Sequence, residues 1–172
     1  MSQSSNHVEW CLKKAEKEIE EGKKHRGLIK IEADLMEIRN HVDKAEHNLK
    51  AISFFDSGGY SDWSMSAVFY CIYHCFLAIG LKFGYESRNQ ECTISLIKFL
   101  KETGKINIDD KFIAALEVHD KEERLESNII EKREHYTYGT TTSADKEEID
   151  ENVFLCTECL VQTRKIVFKG EE

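Results

Sequence analysis

The stretch Glu131-Lys132-Arg133-Glu134-His135-Tyr136-Thr137-Tyr138-Gly139 concentrates residue types that can do chemistry. Its positions 133–138 hold a fixed cation (Arg133), a carboxylate (Glu134), an imidazole (His135) and two phenols (Tyr136 and Tyr138). A guanidinium presents a planar fork of donors that matches phosphate oxygens. An imidazole moves a proton near neutral pH. Together they are the parts of a metal-free site that binds or cleaves a phosphodiester. Arg133 would hold the developing negative charge and His135 would carry the proton. A tyrosine, with an ordinary pKa of about 10, is a poor base for that task. The same residues also suit a frayed helix end, because they run into Gly139 and the polar segment Thr140 to Ser143.

Helical geometry limits how such a cluster can form. Arg133 and Tyr138 lie about 140° apart around a helix axis, and Arg133 and His135 about 200° apart. One unbroken helix cannot point all three the same way. The expectation is that Arg133, His135 and Tyr138 meet at the mouth of a cleft, either through unwinding near Thr137 or through a second copy of the chain.

The elements that must position this segment are helical. The chain has 172 residues, enough for one domain with a real core, and contains no proline. Val8 to Glu21 reads as a charged amphipathic helix. A basic break follows, with Lys23, Lys24, His25, Arg26 and Lys30, and reads as a solvated loop or a phosphate-contacting arm. Asp34 with Glu37 resembles a capping box opening a helix whose core stripe is Leu35, Ile38, Val42, Ala45, Leu49 and Ile52. Gly58-Gly59 ends it. Ser61 is expected to cap the next helix, with Asp62 in its first turn. Gly84 closes that helix. Asn89 to Glu102 forms a shorter one, stopped by Thr103-Gly104. A long helix then runs from Asp109 or Asp110 towards Tyr138, with a charged, solvated face over His119 to Arg124. Ser143 is expected to cap the last helix, which carries Asp145, Glu147 and Glu148 in its first turn and Arg164, Lys165 and Lys169 in its last. No stretch alternates as a strand does. The fold class is all-α: an up-and-down antiparallel bundle of about six helices, with residues 1–30 as an N-terminal helical extension and 31–172 as the bundle.

Charge and cysteine content narrow the function. A net charge of −8 argues against non-specific nucleic-acid binding over the whole surface, though not against a local basic cleft. Six cysteines and no apparent export signal read as free thiols in a cytoplasmic protein. Cys71 and Cys75, and Cys156 and Cys159, offer thiolate pairs of the kind that bind zinc. Both pairs sit mid-helix in apolar stretches, where cysteine is a small buried hydrophobe. No metal or other cofactor is expected. Met65 to Leu81 is apolar apart from Ser66 and His74. That composition suits the centre of a bundle, and its length is short for a membrane span. His74 reads as a hydrogen-bonded core histidine.

The order of the pieces carries a resemblance. Lys44-Ala45-Glu46-His47-Asn48-Leu49-Lys50-Ala51 precedes Gly59-Tyr60-Ser61-Asp62-Trp63. The aromatic run Ala67-Val68-Phe69-Tyr70-Cys71-Ile72-Tyr73-His74 follows, then Gly84-Tyr85-Glu86-Ser87-Arg88-Asn89-Gln90 and the Arg133 segment. From about Asp34 to Lys169 the chain resembles the HEPN domain family. The resemblance implies a helical bundle that forms a homodimer, with the polar motifs meeting at the dimer cleft. It implies RNA or a nucleotide as ligand, and for active members a metal-independent endoribonuclease of the toxin–antitoxin or defence kind. The family motif is an arginine, a polar residue and a histidine five to seven positions after the arginine. Arg133 and Glu134 match the first two; Tyr138 stands where the histidine belongs, and His135 is too close to Arg133. This departure favours a non-catalytic binding module, with the ribonuclease using Arg133, His135 and Tyr138 as the alternative. Asp62, Glu134 and Tyr136 join Arg133 as expected ligand-binding residues. Some relatives pair with a nucleotidyltransferase, for which Tyr136 or Tyr138 would be the modified residue.

Overall fold

The Asp34 carboxylate accepts hydrogen bonds from the backbone N–H groups of Met36 and Glu37, and a helix begins there as the capping pattern predicts. The computed structural model describes residues 2–117 and 128–169. In chain order it contains α1 (Gln3–Glu20), β1 (Leu28–Lys30), α2 (Leu35–Ser57), a 3-10 turn (Ser61–Trp63), α3 (Ser64–Lys82), β2 (Tyr85–Ser87), α4 (Gln90–Glu102), α5 (Asp110–Leu116), α6 (Ile129–Tyr138) and α7 (Lys146–Val167). The all-α class holds, with seven α-helices among the described residues.

α3 is the axis of the bundle. Thirteen of its nineteen residues are buried, among them Met65, Ile72, Phe76 and Ile79. α2, α4, α6 and α7 all pack against it. The segment 61–82 is long and apolar enough to cross a membrane, yet 72% of its most apolar window lies inside the protein. Its apolar girth is spent on neighbouring helices, so it serves as the core.

Four local expectations give way to the structure. First, a small antiparallel sheet exists: Leu28, Ile29 and Lys30 pair with Ser87, Glu86 and Tyr85. No three-residue strand has room for a periodic signal. The basic break leads into this sheet, and His25 is buried with its Nε2 3.4 Å from Glu86 Oε1. Gly27 makes the approach to α1 possible, because a Cβ there would lie 2.3 Å from the Cys11 carbonyl oxygen. Second, Ser61 does not cap α3. Its hydroxyl accepts from the Ala144 N–H at 2.9 Å, across the bundle. Third, α7 is capped by Asp145 rather than Ser143. Fourth, no single helix runs from Asp110 to Tyr138. α5 stops at Leu116, and Asn128 opens α6 by accepting from the Glu131 N–H. The charged stretch His119 to Arg124 lies outside the described residues.

The cysteines divide. Cys11 on α1 and Cys92 on α4 form a disulfide with Cα atoms 5.9 Å apart, contrary to the expectation that all six are free. They are 81 residues apart in sequence, and only the packing of α1 against α4 brings them together. A disulfide persists in oxidising surroundings, so it removes the compartment argument based on six reduced thiols. Cys71, Cys75, Cys156 and Cys159 are free and buried, on the facing surfaces of α3 and α7. Contact with Cys156 and Cys75, and then burial, pushes the Cys71 thiol up; burial does the same to Cys159. The Cys75 thiol goes the other way, held down by hydrogen bonds from Cys159 and Cys71, but all four sulfurs are shut off from solvent and out of a reagent's reach. Ellman's reagent should therefore detect none of these four in the native protein and four on unfolding without reductant. Reducing Cys11–Cys92 should remove about 2–4 kcal/mol of stability and lower Tm by roughly 5–15 °C in a thermal melt.

Candidate functional site

α6 carries the residues singled out in the sequence, and it remains helical through Tyr138. Thr137 does not unwind, so Arg133 and His135 point to different sides. Arg133 turns towards α3. Its guanidinium carbon sits 4.0 Å from the centroid of the buried Phe69 ring. Among the described residues it has no carboxylate partner. A cation over an aromatic face is held by the ring quadrupole without losing its charge to an anion. Phe69 is extended into a group of rings: Tyr70 meets it edge-on at 5.0 Å and Tyr73 stacks on it at 5.6 Å. Tyr70 is 46% exposed and Trp63, at the start of α3, 52%. Arg133 thus stands over an aromatic strip on the uncovered side of α3.

Phe69, Tyr70 and Tyr73 form the ring group beneath Arg133, and none of the three was among the candidate site residues of the sequence. Their signal was the spacing of aromatics at 69, 70 and 73, which puts them on one side of a helix.

The other residues of the segment do different things. His135 lies edge-on to Tyr136 at 5.1 Å, and its Nε2 is 3.5 Å from the Thr141 hydroxyl. It is exposed, at the end of α6 that faces the following loop. Tyr136 donates its phenol proton to Glu148 on α7 at 2.9 Å. Burial and that carboxylate push its pKa up to about 12. Tyr136 is therefore protonated and committed to α7. Glu148 is also paired to Lys132 at 2.7 Å, which closes a small network between α6 and α7. Tyr138 is 85% exposed. Glu134 is exposed on α6, and Asp62 is half-buried in the 3-10 turn that abuts α6. The single chain does not bring Arg133, His135 and Tyr138 together. Among the described residues, no group of three or more His, Cys, Asp or Glu side chains is placed to hold a metal ion.

Farther along α3, His74 meets His41 of α2 with Nδ1 atoms 2.8 Å apart. One ring must donate and the other accept, so at least one stays neutral. Burial lowers the His74 pKa to about 4, and the nearby His41 and Lys44 add to this. Burial also lowers His41, against the pull of Glu37. The hydrogen bond expected of His74 is present, but the ring is half-buried at the edge of α3 rather than enclosed in the core.

The HEPN domain family model matches residues 38–165, which covers α2 to nearly the end of α7. The chain belongs to the HEPN domain family. No curated protein matches the HEPN chain significantly. Membership supports a nucleotide- or RNA-related module in general terms. Within the match, α3 supplies the aromatic strip and α6 the cation.

Two outcomes follow for this HEPN domain. Tyr136→Phe should cost about 1 kcal/mol, since it removes a hydrogen bond to a charged, partly exposed acceptor. Absorbance titration at alkaline pH should lose its highest-pKa tyrosine component in that variant. The histidine pair predicts a pH effect of definite sign. Both folded pKa values lie below the unfolded value of about 6.5, so the unfolded chain binds protons more readily. The pair's contribution is complete above that value and is lost as pH falls from about 6.5 towards the folded pKa of His74, about 4. Denaturant midpoints measured between pH 7.5 and 4.5 should fall, and His74→Gln should flatten the slope.

Proposed function

We propose that this chain is a non-catalytic nucleotide- or RNA-binding module, with Arg133 as its principal phosphate contact and the rings of α3 as the surface for bases. One observation carries the reading: an unpaired guanidinium poised over Phe69, whose ring meets the exposed Tyr70, in a protein of net charge −8, with the exposed Trp63 in the turn that abuts α6. A cation left unneutralised in an acidic chain is suited to an anionic ligand, and exposed rings accept bases by stacking. The position of His135 supports binding over cleavage. It faces Thr141, away from the Phe69 side of α6.

The proposal extends to assembly and partners. We read the chain as a homodimer that meets through α3 or the Arg133-bearing α6, with the exposed Trp63 and Tyr70 lining the cleft between the two copies rather than being closed off by it. Tyr138 is the phenol a nucleotidyltransferase partner would reach, because Tyr136 is engaged by Glu148. A toxin–antitoxin or defence setting fits such a pairing. Residues 1–30 are read as an extension to the domain.

The test is fluorescence anisotropy with a labelled single-stranded RNA in metal-free buffer at low salt. Wild type should bind and leave the RNA intact. Arg133→Ala should weaken binding by tenfold or more, as expected for about 1.5–3 kcal/mol from a charged hydrogen bond. Equal binding by wild type and Arg133→Ala sinks the assignment. Cleavage by wild type, lost in His135→Ala, would replace it with the endoribonuclease reading.

A further inference from the structure

α7 turns its buried residues, among them Cys156, Leu160 and Thr163, towards α3 and the rest of the bundle. Its opposite side carries a stripe at helical spacing: Asp150, Phe154, Thr157, Val161 and Lys165, all exposed. Phe154 is 64% exposed and Val161 44%. Single exposed apolar side chains are ordinary. These two stand two turns apart on one line, astride the middle of the helix. The charges divide about that same middle. Glu147, Asp150 and Glu151 occupy the first half of the exposed side, and Arg164 and Lys165 the second. The stripe faces away from α3, so it is a different surface from the aromatic strip beneath Arg133.

Such a stripe is complementary to itself when reversed. Phe154 and Val161 are equidistant from the point between Thr157 and Glu158, and so are Asp150 and Lys165. A two-fold axis through that point lays two copies of α7 antiparallel. Phe154 then meets Val161 of the second copy, and Asp150 comes within reach of its Lys165. The acidic half of each helix lies along the basic half of the other. A parallel pair would set acid against acid and base against base, which like-charge repulsion opposes. Glu158, beside the axis, is already neutralised by Lys111 at 2.6 Å. Asp150 holds Lys146 at 2.7 Å and Arg164 holds Glu46 at 2.6 Å. Glu151 and Lys165 have no ion-pair partner among the described residues. Free charge of both signs therefore stands on the stripe, one sign on each side of an apolar centre, and a second copy of the chain supplies the matching order.

We propose that two copies of this chain associate through the outer faces of α7, antiparallel about an axis between Thr157 and Glu158. A contact of one helix on another is small beside a standard interface of about 1,600 Å2. The association is accordingly reversible, with a Kd of roughly 100 µM or tighter. It does not depend on the homodimer reading through α3 or α6. Where both contacts form, α7 joins one dimer to another.

A thiol placed at the axis tests this on the intact chain, because the native free cysteines are buried. Thr157→Cys should form an intermolecular disulfide under oxidised glutathione, at a rate that rises with protein concentration. Asp150→Cys should not. In the antiparallel pair its two copies stand about 20 Å apart along the helices, beyond the span of a disulfide. Adding Phe154→Glu to Thr157→Cys should slow the cross-link at least tenfold while circular dichroism shows the fold intact. Lys165→Glu should slow it as well, and Asp150→Lys/Lys165→Glu should restore it. Failure of Thr157→Cys to cross-link overturns the proposal, as does a cross-link that Phe154→Glu leaves unchanged. Cross-linking of Asp150→Cys as readily as Thr157→Cys, or failure of the double charge reversal to restore the rate, overturns the antiparallel register. Tyr70→Glu, on the α3 strip, should leave the Thr157→Cys cross-link unchanged, so failure of the α7 contact is distinguishable from failure of the one through α3 or α6.

Discussion

The burial of α3 is the constraint on which the rest of this structure depends. A helix apolar on almost every side satisfies its own backbone hydrogen bonds but must remove its side chains from water. At about 1.5–3 kcal/mol for each large apolar side chain fully buried, residues such as Met65, Ile72, Phe76 and Ile79 provide a driving force that no surface contact rivals. Every neighbouring helix is placed by the need to cover part of this one. α2 and α7 also touch each other, which closes the bundle on one flank.

What the other helices leave uncovered becomes chemically available. A strip of α3 bearing Tyr70 and, half-buried beside it, Tyr73 and His74 remains at the surface. α6 lies against the start of this strip and α2 beside its continuation. Arg133 is held by an aromatic face rather than by a carboxylate, so it keeps its capacity to bind an anion while its position is restricted. The network of Tyr136, Glu148 and Lys132 locks α6 to α7 and thereby sets where Arg133 stands. Phenols two residues apart on α6 thus have different fates: one is a structural donor and the other is open to solvent.

The N-terminal helix is coupled to the bundle by a different means. α1 packs on α4, and the Cys11–Cys92 bond fixes that contact covalently. His7 and Ser95, 2.6 Å apart, join the same two helices by a side-chain hydrogen bond. β1 and β2 add backbone pairing between the lead-in to α2 and the segment after α3. The N-terminal segment is therefore tied to the domain by covalent, polar and backbone links together.

Helix positions were legible in the amino-acid order because their signals are local. The Asp34 cap, the Gly58-Gly59, Gly84 and Thr103-Gly104 stops and the apolar run of α3 each depend on residues within a turn or two. The presence of an arginine, a histidine and tyrosines in one short segment was equally plain. Their directions were not. Whether Thr137 stays helical depends on α6 packing against α3 and α7, and the partner of Arg133 is Phe69, 64 positions away in sequence. The same distance in sequence hid the Cys11–Cys92 pair and the Ser61–Ala144 bond. Side-chain types and helical periods are written in the order of the residues. Which faces meet, and so which charges remain unpaired, is set only when the apolar surface of α3 is covered and the chain is brought back upon itself.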